Sequence, residues 1–269
     1  MKTGLTIKAL ALSVLCAIPG LSWAGYDDYS NENQCGCWGV QVKAGIAPVI
    51  WTDRCCSVIS DCATVLTPGL SSGGKIGKFG DYFHNVPWTV GLEVDYNWIE
   101  CISLYGDFQY RQARGRSVCT PITLANGGIP IVSFDNYKSF SLYFGSDYHF
   151  DDLFCFDPCD GLSFFVGIKV GFTVYGRLNA CLIPPSTGAT TVRACADSRG
   201  VFSGGGRLGA DYCFCENLSV VFTAEILGQG AHQLGCLSFP VVSGIPGFRF
   251  GNVGTEVVFP LTLGLRYSF

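Results

Sequence analysis

Alternation of apolar and polar side chains, sustained over eight separate stretches, limits this chain to very few architectures. Trp38, Val40, Val42, Ala44 and Ile46 alternate with Gly39, Gln41, Lys43 and Gly45. Trp88, Val90, Leu92, Val94, Tyr96 and Trp98 alternate with Thr89, Gly91, Glu93, Asp95 and Asn97. The pattern returns from Ile102 to Arg111, Phe140 to Phe150, Ser163 to Val174, Phe202 to Phe214, Leu218 to Ile226, and Thr255 to Phe269. Successive side chains of a β-strand point to opposite faces, so each stretch reads as a strand with one apolar and one polar face. The Gly204-Gly205-Gly206 run is the least strand-like part. Pro260 cannot donate a ladder hydrogen bond, so it calls for a bulge or for a membrane-crossing strand that begins at Leu261.

The connections alternate in length. Short ones near Ile99–Glu100, Asp151–Gly161 and Cys215–Asn217 are interleaved with long ones near Thr52–Val86, Gln112–Lys138, Arg177–Gly200 and Gln229–Gly254. Short turns at one end and long loops at the other are the pattern of a transmembrane barrel, with turns periplasmic and loops extracellular. The expected fold is all-β: an antiparallel transmembrane β-barrel of eight strands. A soluble β domain has no reason to keep such a rhythm. The segments Ile122–Leu124 with Ile129–Phe134, and Leu237–Val242 with Phe248–Phe250, could extend hairpins; additional barrel strands there would favour a pore.

Composition agrees with lipid contact. The chain is 48% hydrophobic and only 14% charged, where a soluble domain carries about a quarter charged residues. After residue 24 it holds no uncharged apolar run of the ~18 residues that a membrane helix needs. Residues 1–24 read as a secretory signal peptide: Lys2 and Lys8, an apolar run from Ala9, Pro19-Gly20, then Ser22-Trp23-Ala24. Leu15 is too bulky for lipoprotein processing at Cys16. Residues 25–37 are expected to form a periplasmic segment and 38–269 the barrel. The formal net charge of −4 becomes −6 without Lys2 and Lys8, which argues against nucleic acid.

The two faces predict different surroundings. Trp38, Tyr96, Trp98, Tyr148, Phe150, Tyr212, Phe214, Tyr267 and Phe269 gather at the short-turn end, as an aromatic girdle at a lipid–water boundary would. The inward face carries Lys43, Glu93, Asp95, Asp107, Arg111, Asp147, Lys169, Arg207, Asp211, Glu225 and Arg266. Eight strands enclose just enough space for side chains to fill, so these charges are expected to pair across a packed lumen. Inward glycines beside Tyr105, Tyr143 and Phe165 suit that packing.

The ending Leu263-Gly264-Leu265-Arg266-Tyr267-Ser268-Phe269 resembles the C-terminal signal of Gram-negative outer-membrane barrels, and the whole pattern is similar to the small OmpA-like barrels. The resemblance implies outer-membrane lipid as surroundings. It also implies that the barrel assembly machinery is a partner that reads Leu265, Tyr267 and Phe269.

Fourteen cysteines follow the signal peptide, an even number suited to an oxidising compartment. On this topology Cys35, Cys37, Cys101, Cys155, Cys159, Cys213 and Cys215 fall at the periplasmic end. Cys55, Cys56, Cys62, Cys119, Cys181, Cys195 and Cys236 fall in extracellular loops. Intramolecular bridges stapling the loops are one reading. Seven per side is odd, however, so such bridges leave one thiol on each side free or bonded to another protein. This cysteine-rich composition resembles the chlamydial-type major outer membrane proteins, which implies disulfide cross-links to other envelope proteins. Cys35-x-Cys37 and Cys213-x-Cys215 lack zinc-knuckle spacing, so no metal or cofactor is expected.

No catalytic constellation emerges. His84 and His232 lie in long loops, His149 lies on the inward face, and none has a nucleophile with an orienting group at the required spacing. Three roles stay open: a structural surface barrel presenting its loops, a porin or small-solute channel, and a host-surface adhesin.

Overall fold

A computed structural model describes residues 37–52, 58–60, 83–84, 86–99, 101–119, 131–150, 161–183, 192–196, 198–215, 217–230, 238–239, 248–250 and 255–269. The signal peptide, Ile122–Leu124, His232, Cys35, Cys55, Cys56, Cys62, Cys155, Cys159 and Cys236 lie outside the described residues.

All eight alternating stretches are strands: β1 (Trp38–Ile46), β2 (Trp88–Ile99), β3 (Ile102–Ala113), β4 (Tyr137–His149), β5 (Leu162–Tyr175), β6 (Arg199–Cys215), β7 (Leu218–Gln229) and β8 (Leu261–Ser268). Each pairs antiparallel with its sequence neighbour, and β1 pairs with β8, so the sheet closes on itself. At the seam Val42 lies opposite Leu265, and Trp38 and Phe269 exchange backbone hydrogen bonds of 3.1 and 2.9 Å. Closure leaves no unpaired edge, which is what a membrane demands of strands.

The triple glycine lies inside β6, the longest strand, fully paired on both sides. Pro260 precedes β8, as the second of the two expectations had it. Its register with β7 runs unbroken from Ala224 opposite Leu261 to Leu227 opposite Val258, and its carbonyl accepts the Glu225 N–H at 2.9 Å. The irregularity falls instead across the seam, where the pairing of Glu256–Val258 with Val49–Thr52 shifts between Val257 and Val258.

Beyond the barrel rim the long connections fold back into sheets of their own. Val192–Ala196, Leu178–Ile183, Ile131–Phe134 and Ser117–Cys119 form a four-stranded outer sheet, and Ser238–Phe239, Phe248–Phe250 and Val58–Ser60 a three-stranded one. The hairpin expected around Phe248–Phe250 is therefore present. Ile131–Phe134 is extended too and pairs with Ser117–Cys119 and Leu178–Ile183. Neither adds a strand to the cylinder.

Side-chain exposure separates the two faces. Phe144, Ile168, Phe172, Leu208 and Leu263 all point away from the bore, and Ile168 is the most open of them at 68%. Their outward rows form a continuous apolar belt that water would not tolerate. Aromatic contacts bound it at both ends: Trp38–Tyr96 (4.9 Å) and Tyr148–Phe150 (5.1 Å) on the short-turn side, Trp88–Tyr110 (5.2 Å) and Tyr110–Phe140 (4.9 Å) on the long-loop side. A closed cylinder with this exterior and a polar interior is a transmembrane barrel of the bacterial outer-membrane type.

Candidate functional site

The lumen gathers the charged side chains that alternation turned inward. Its centre is a cluster around two lysines. Lys43 Nζ lies 2.7 Å from Glu93 Oε2, 2.9 Å from Asp107 Oδ1 and 3.8 Å from Glu225 Oε1. Lys169 Nζ lies 2.6 Å from Glu225 Oε2 and 3.0 Å from Asp107 Oδ2. Gln109 Nε2 donates to Asp107 Oδ2 at 2.8 Å and to Glu225 Oε2 at 3.2 Å. Glu93 and Asp107 stand directly opposite each other in register, an arrangement that is repulsive without a cation between them.

Glycine makes room for these long cations. Lys43 is paired in register with Gly264 on one side and Gly91 on the other, and Lys169 with Gly145 and Gly205. A Cβ on Gly91 would stand 3.0 Å from Lys43 Cε. The small-beside-large packing expected of the lumen is present and serves the ion pairs.

Towards the short-turn end, Arg207 Nη1 binds Glu93 Oε2 at 2.7 Å while Nε binds Asp147 Oδ1 at 2.7 Å. Its guanidinium lies 3.3 Å from the centre of the Tyr105 ring, a stacked cation–π contact. At the mouth, Arg266 joins Asp95 and, at 3.1 Å, Asp211. Towards the long-loop end, Arg111 Nη2 reaches Glu256 Oε2 at 3.3 Å and Gln229 Oε1 at 3.0 Å. Tyr137 and Tyr175 donate to Glu256 and Gln229 at 3.2 and 2.6 Å.

All nine residues singled out as an ionic network — Lys43, Glu93, Asp95, Asp107, Arg111, Lys169, Arg207, Glu225 and Arg266 — are brought together. Sequence reasoning missed Glu256, Gln109, Gln229, Tyr137 and Tyr175. Seven carboxylates meet five cations among the described lumen residues, so Lys43, Lys169, Arg207 and Arg266 each serve more than one.

His149 joins the lumen through Ser103, 3.2 Å from Nε2, and Ser163, 3.5 Å from Nδ1. A serine–histidine contact was not foreseen. Its cavity, shared with Asp147 and Arg207, holds about 10 Å³, room for one water at most.

Above the rim, a cavity of about 450 Å³ on the outer sheet is lined by Asp135, Arg177, Asn179, Cys181, Arg193 and Cys195. Arg177 Nη2 donates to Cys195 Sγ at 2.8 Å. Cys37, Cys101, Cys119, Cys181 and Cys195 are free thiols, so no expected staple joins any two of them. Register explains this: Cys181 lies opposite Arg193 and Cys195 opposite Asn179, placing the two thiols diagonally, while Cys119 lies opposite Ile131. No group of His, Cys, Asp and Glu among the described residues is arranged to hold a metal ion.

No family model matches the sequence, and no curated protein matches it. Solved structures do. Neisserial surface protein A is 12% identical with a TM-score of 0.43, covering 87% of this chain and 99% of that one. OprG from Pseudomonas aeruginosa is 12% identical with a TM-score of 0.40, covering 88% and 97%. The outer membrane protease OmpT from Escherichia coli is 10% identical with a TM-score of 0.36, covering 89% and 99%. At these identities and scores the likeness assigns no role to this chain, and it does not extend to the chlamydial-type, cysteine-rich composition.

Proposed function

We propose that the chain is a structural surface barrel: an outer-membrane anchor with a blocked lumen that presents folded loops to the exterior. The observation that carries this reading is the filled interior. Lys43, Asp107, Lys169 and Glu225 are each at most 1% exposed and bind one another across the bore. They fill the middle of the bore, and moving any one charge uncovers another. The porin or small-solute-channel reading would require that cluster to open. The cavity around Ser103 and His149 is too small for a substrate, which favours a non-enzymatic role.

Two features support display and cross-linking at the surface. The outer sheet gives the loops a hydrogen-bonded scaffold whose inner side buries Val132, Leu178, Ala180 and Leu182. Cys119 and Cys195 are exposed on it with free thiols, in reach of other envelope proteins. Adhesion to a host surface is compatible with such a scaffold. Planar-bilayer recording of the refolded chain is the test. Silence at neutral pH is expected, and stable channels of porin size would reject the blocked barrel. Non-reducing electrophoresis of purified envelopes tests the cross-links: a ladder that collapses on reduction is expected, and identical single bands would discard them.

A further inference from the structure

Charge changes sign along the barrel axis. The three short connections carry six Asp or Glu and no Lys or Arg; the four long ones carry eight Lys and Arg. Six acids share the long connections, but Glu256 is turned inward onto Arg111.

Three cations on neighbouring strands continue outward from the aromatic rim at this end. Among the described residues, Lys138 is the sole charged side chain in the outward rows of the eight strands. It stands one outward step beyond Phe140 and lies opposite Gln112 in register. Arg114 stands two residues beyond Gln112, which makes it a diagonal neighbour of Lys138. Arg116 follows, its Nη2 3.3 Å from His84 Nδ1. All three cations are exposed, and among the described residues neither Arg114 nor Lys138 makes an ion pair. Trp88, Tyr110 and Phe140 mark where acyl chains give way to headgroups. Lys138, directly beyond them, stands at the depth of lipid phosphates, and Arg114 and Arg116 follow farther out.

We propose that Arg114, Arg116 and Lys138 form a docking strip for the phosphate groups of a phosphorylated glycolipid in the leaflet at the long-loop end. Guanidinium groups bind phosphate oxygens through paired N–H donors, and the lysine adds a mobile point charge. The strip continues the apolar belt without a gap, so it suits an amphiphile that rests its acyl chains on Phe140 and Phe108 and its phosphate on the cations. A soluble polyanion would leave the apolar half of that surface unused. This inference rests on the barrel crossing a membrane, and is independent of whether its lumen conducts.

The test uses the refolded full-length chain in zwitterionic micelles, titrated calorimetrically with diphosphorylated lipid A and with the same lipid stripped of its phosphates. A cation beside an anionic lipid surface is worth about fivefold in affinity. Loss of the phosphates should therefore weaken binding by roughly 100-fold, and the double change Arg114→Gln with Lys138→Gln by roughly 25-fold. Equal affinity for the two lipids, or an unchanged affinity in the double variant, overturns the proposal. Inorganic phosphate or a soluble sulfated polysaccharide that binds as tightly as the lipid would reassign the strip to a soluble anion. Should the double variant fail to fold, the comparison of the two lipids on the unaltered chain decides alone. Bilayer recording reads the lumen, so it tests the blocked barrel separately from the strip.

Discussion

Lys43 shows how much depends on one side chain. Its ammonium touches Glu93, Asp107 and Glu225, and Glu93 and Asp107 face each other across a strand pair. Replacing it by Met keeps the stem but leaves carboxylates facing each other in a dry interior. Breaking one partner of such a cluster costs about 3–5 kcal/mol. Lys43→Met should lower stability in lipid vesicles by that amount, read from urea unfolding, and adding Asp107→Asn should recover part of the loss because the excess charge goes with it. Gly91 tests the packing around the same lysine. A Cβ there meets Lys43 Cε at 3.0 Å and the Phe108 carbonyl oxygen at 2.9 Å, so Gly91→Val should cost about 1–3 kcal/mol as overpacking. A neutral Gly91→Val would mean that the lysine stem can swing aside.

Single strands were legible because a pleated strand between lipid and a packed lumen must alternate, and nothing else in the chain competes with that signal. Membership of the lumen network followed from parity alone. Glu256 obeyed the same parity, six residues before Thr262, but Pro260 hid the continuity between them. The outer sheets showed in the sequence only as possible hairpins, and the rest was hidden for a different reason. Buried Phe134 and Tyr137 are three residues apart, with Asp135 and Asn136 both exposed between them; Tyr175 and Leu178 repeat this spacing across Gly176–Arg177. The alternation slips by one as the hairpins leave the barrel, so a period-two reading sees a strand end where the chain continues. Partner choice across the seam was invisible too, because alternation says which way a side chain points but not what stands opposite. Phe269 separates recognition from stability at the end of β8. Its backbone bonds with Trp38 survive loss of the ring, so Phe269→Ala should change stability in vesicles by about 1 kcal/mol or less. The amount reaching the outer membrane should nevertheless fall severalfold on fractionation if the assembly machinery reads that ring. Equal amounts in the envelope would remove Phe269 from any signal.

Taken as a whole, the molecule is turned inside out relative to a soluble domain: its ion pairs form the core and its leucines, valines and phenylalanines the surface. The same substitution should therefore have effects that depend on which solvent it faces. Ile168, exposed on β5, neighbours Gly206 and Ser146 in register, so an arginine there meets no steric obstacle from the protein. In water such an exposed change would be nearly silent. In a bilayer, a charge on the lipid face near the midplane costs about 2–4 kcal/mol and less towards either interface. Ile168→Arg should accordingly lose about that much stability in phospholipid vesicles, whereas the same change at Trp38, on the aromatic rim, should lose clearly less once allowance is made for the missing indole. The measurement is reversible urea unfolding followed by tryptophan fluorescence in vesicles, with tyrosine ellipticity as the probe for the Trp38 variant. If the two positions prove equally tolerant, the apolar belt does not face acyl chains and the transmembrane assignment fails with it.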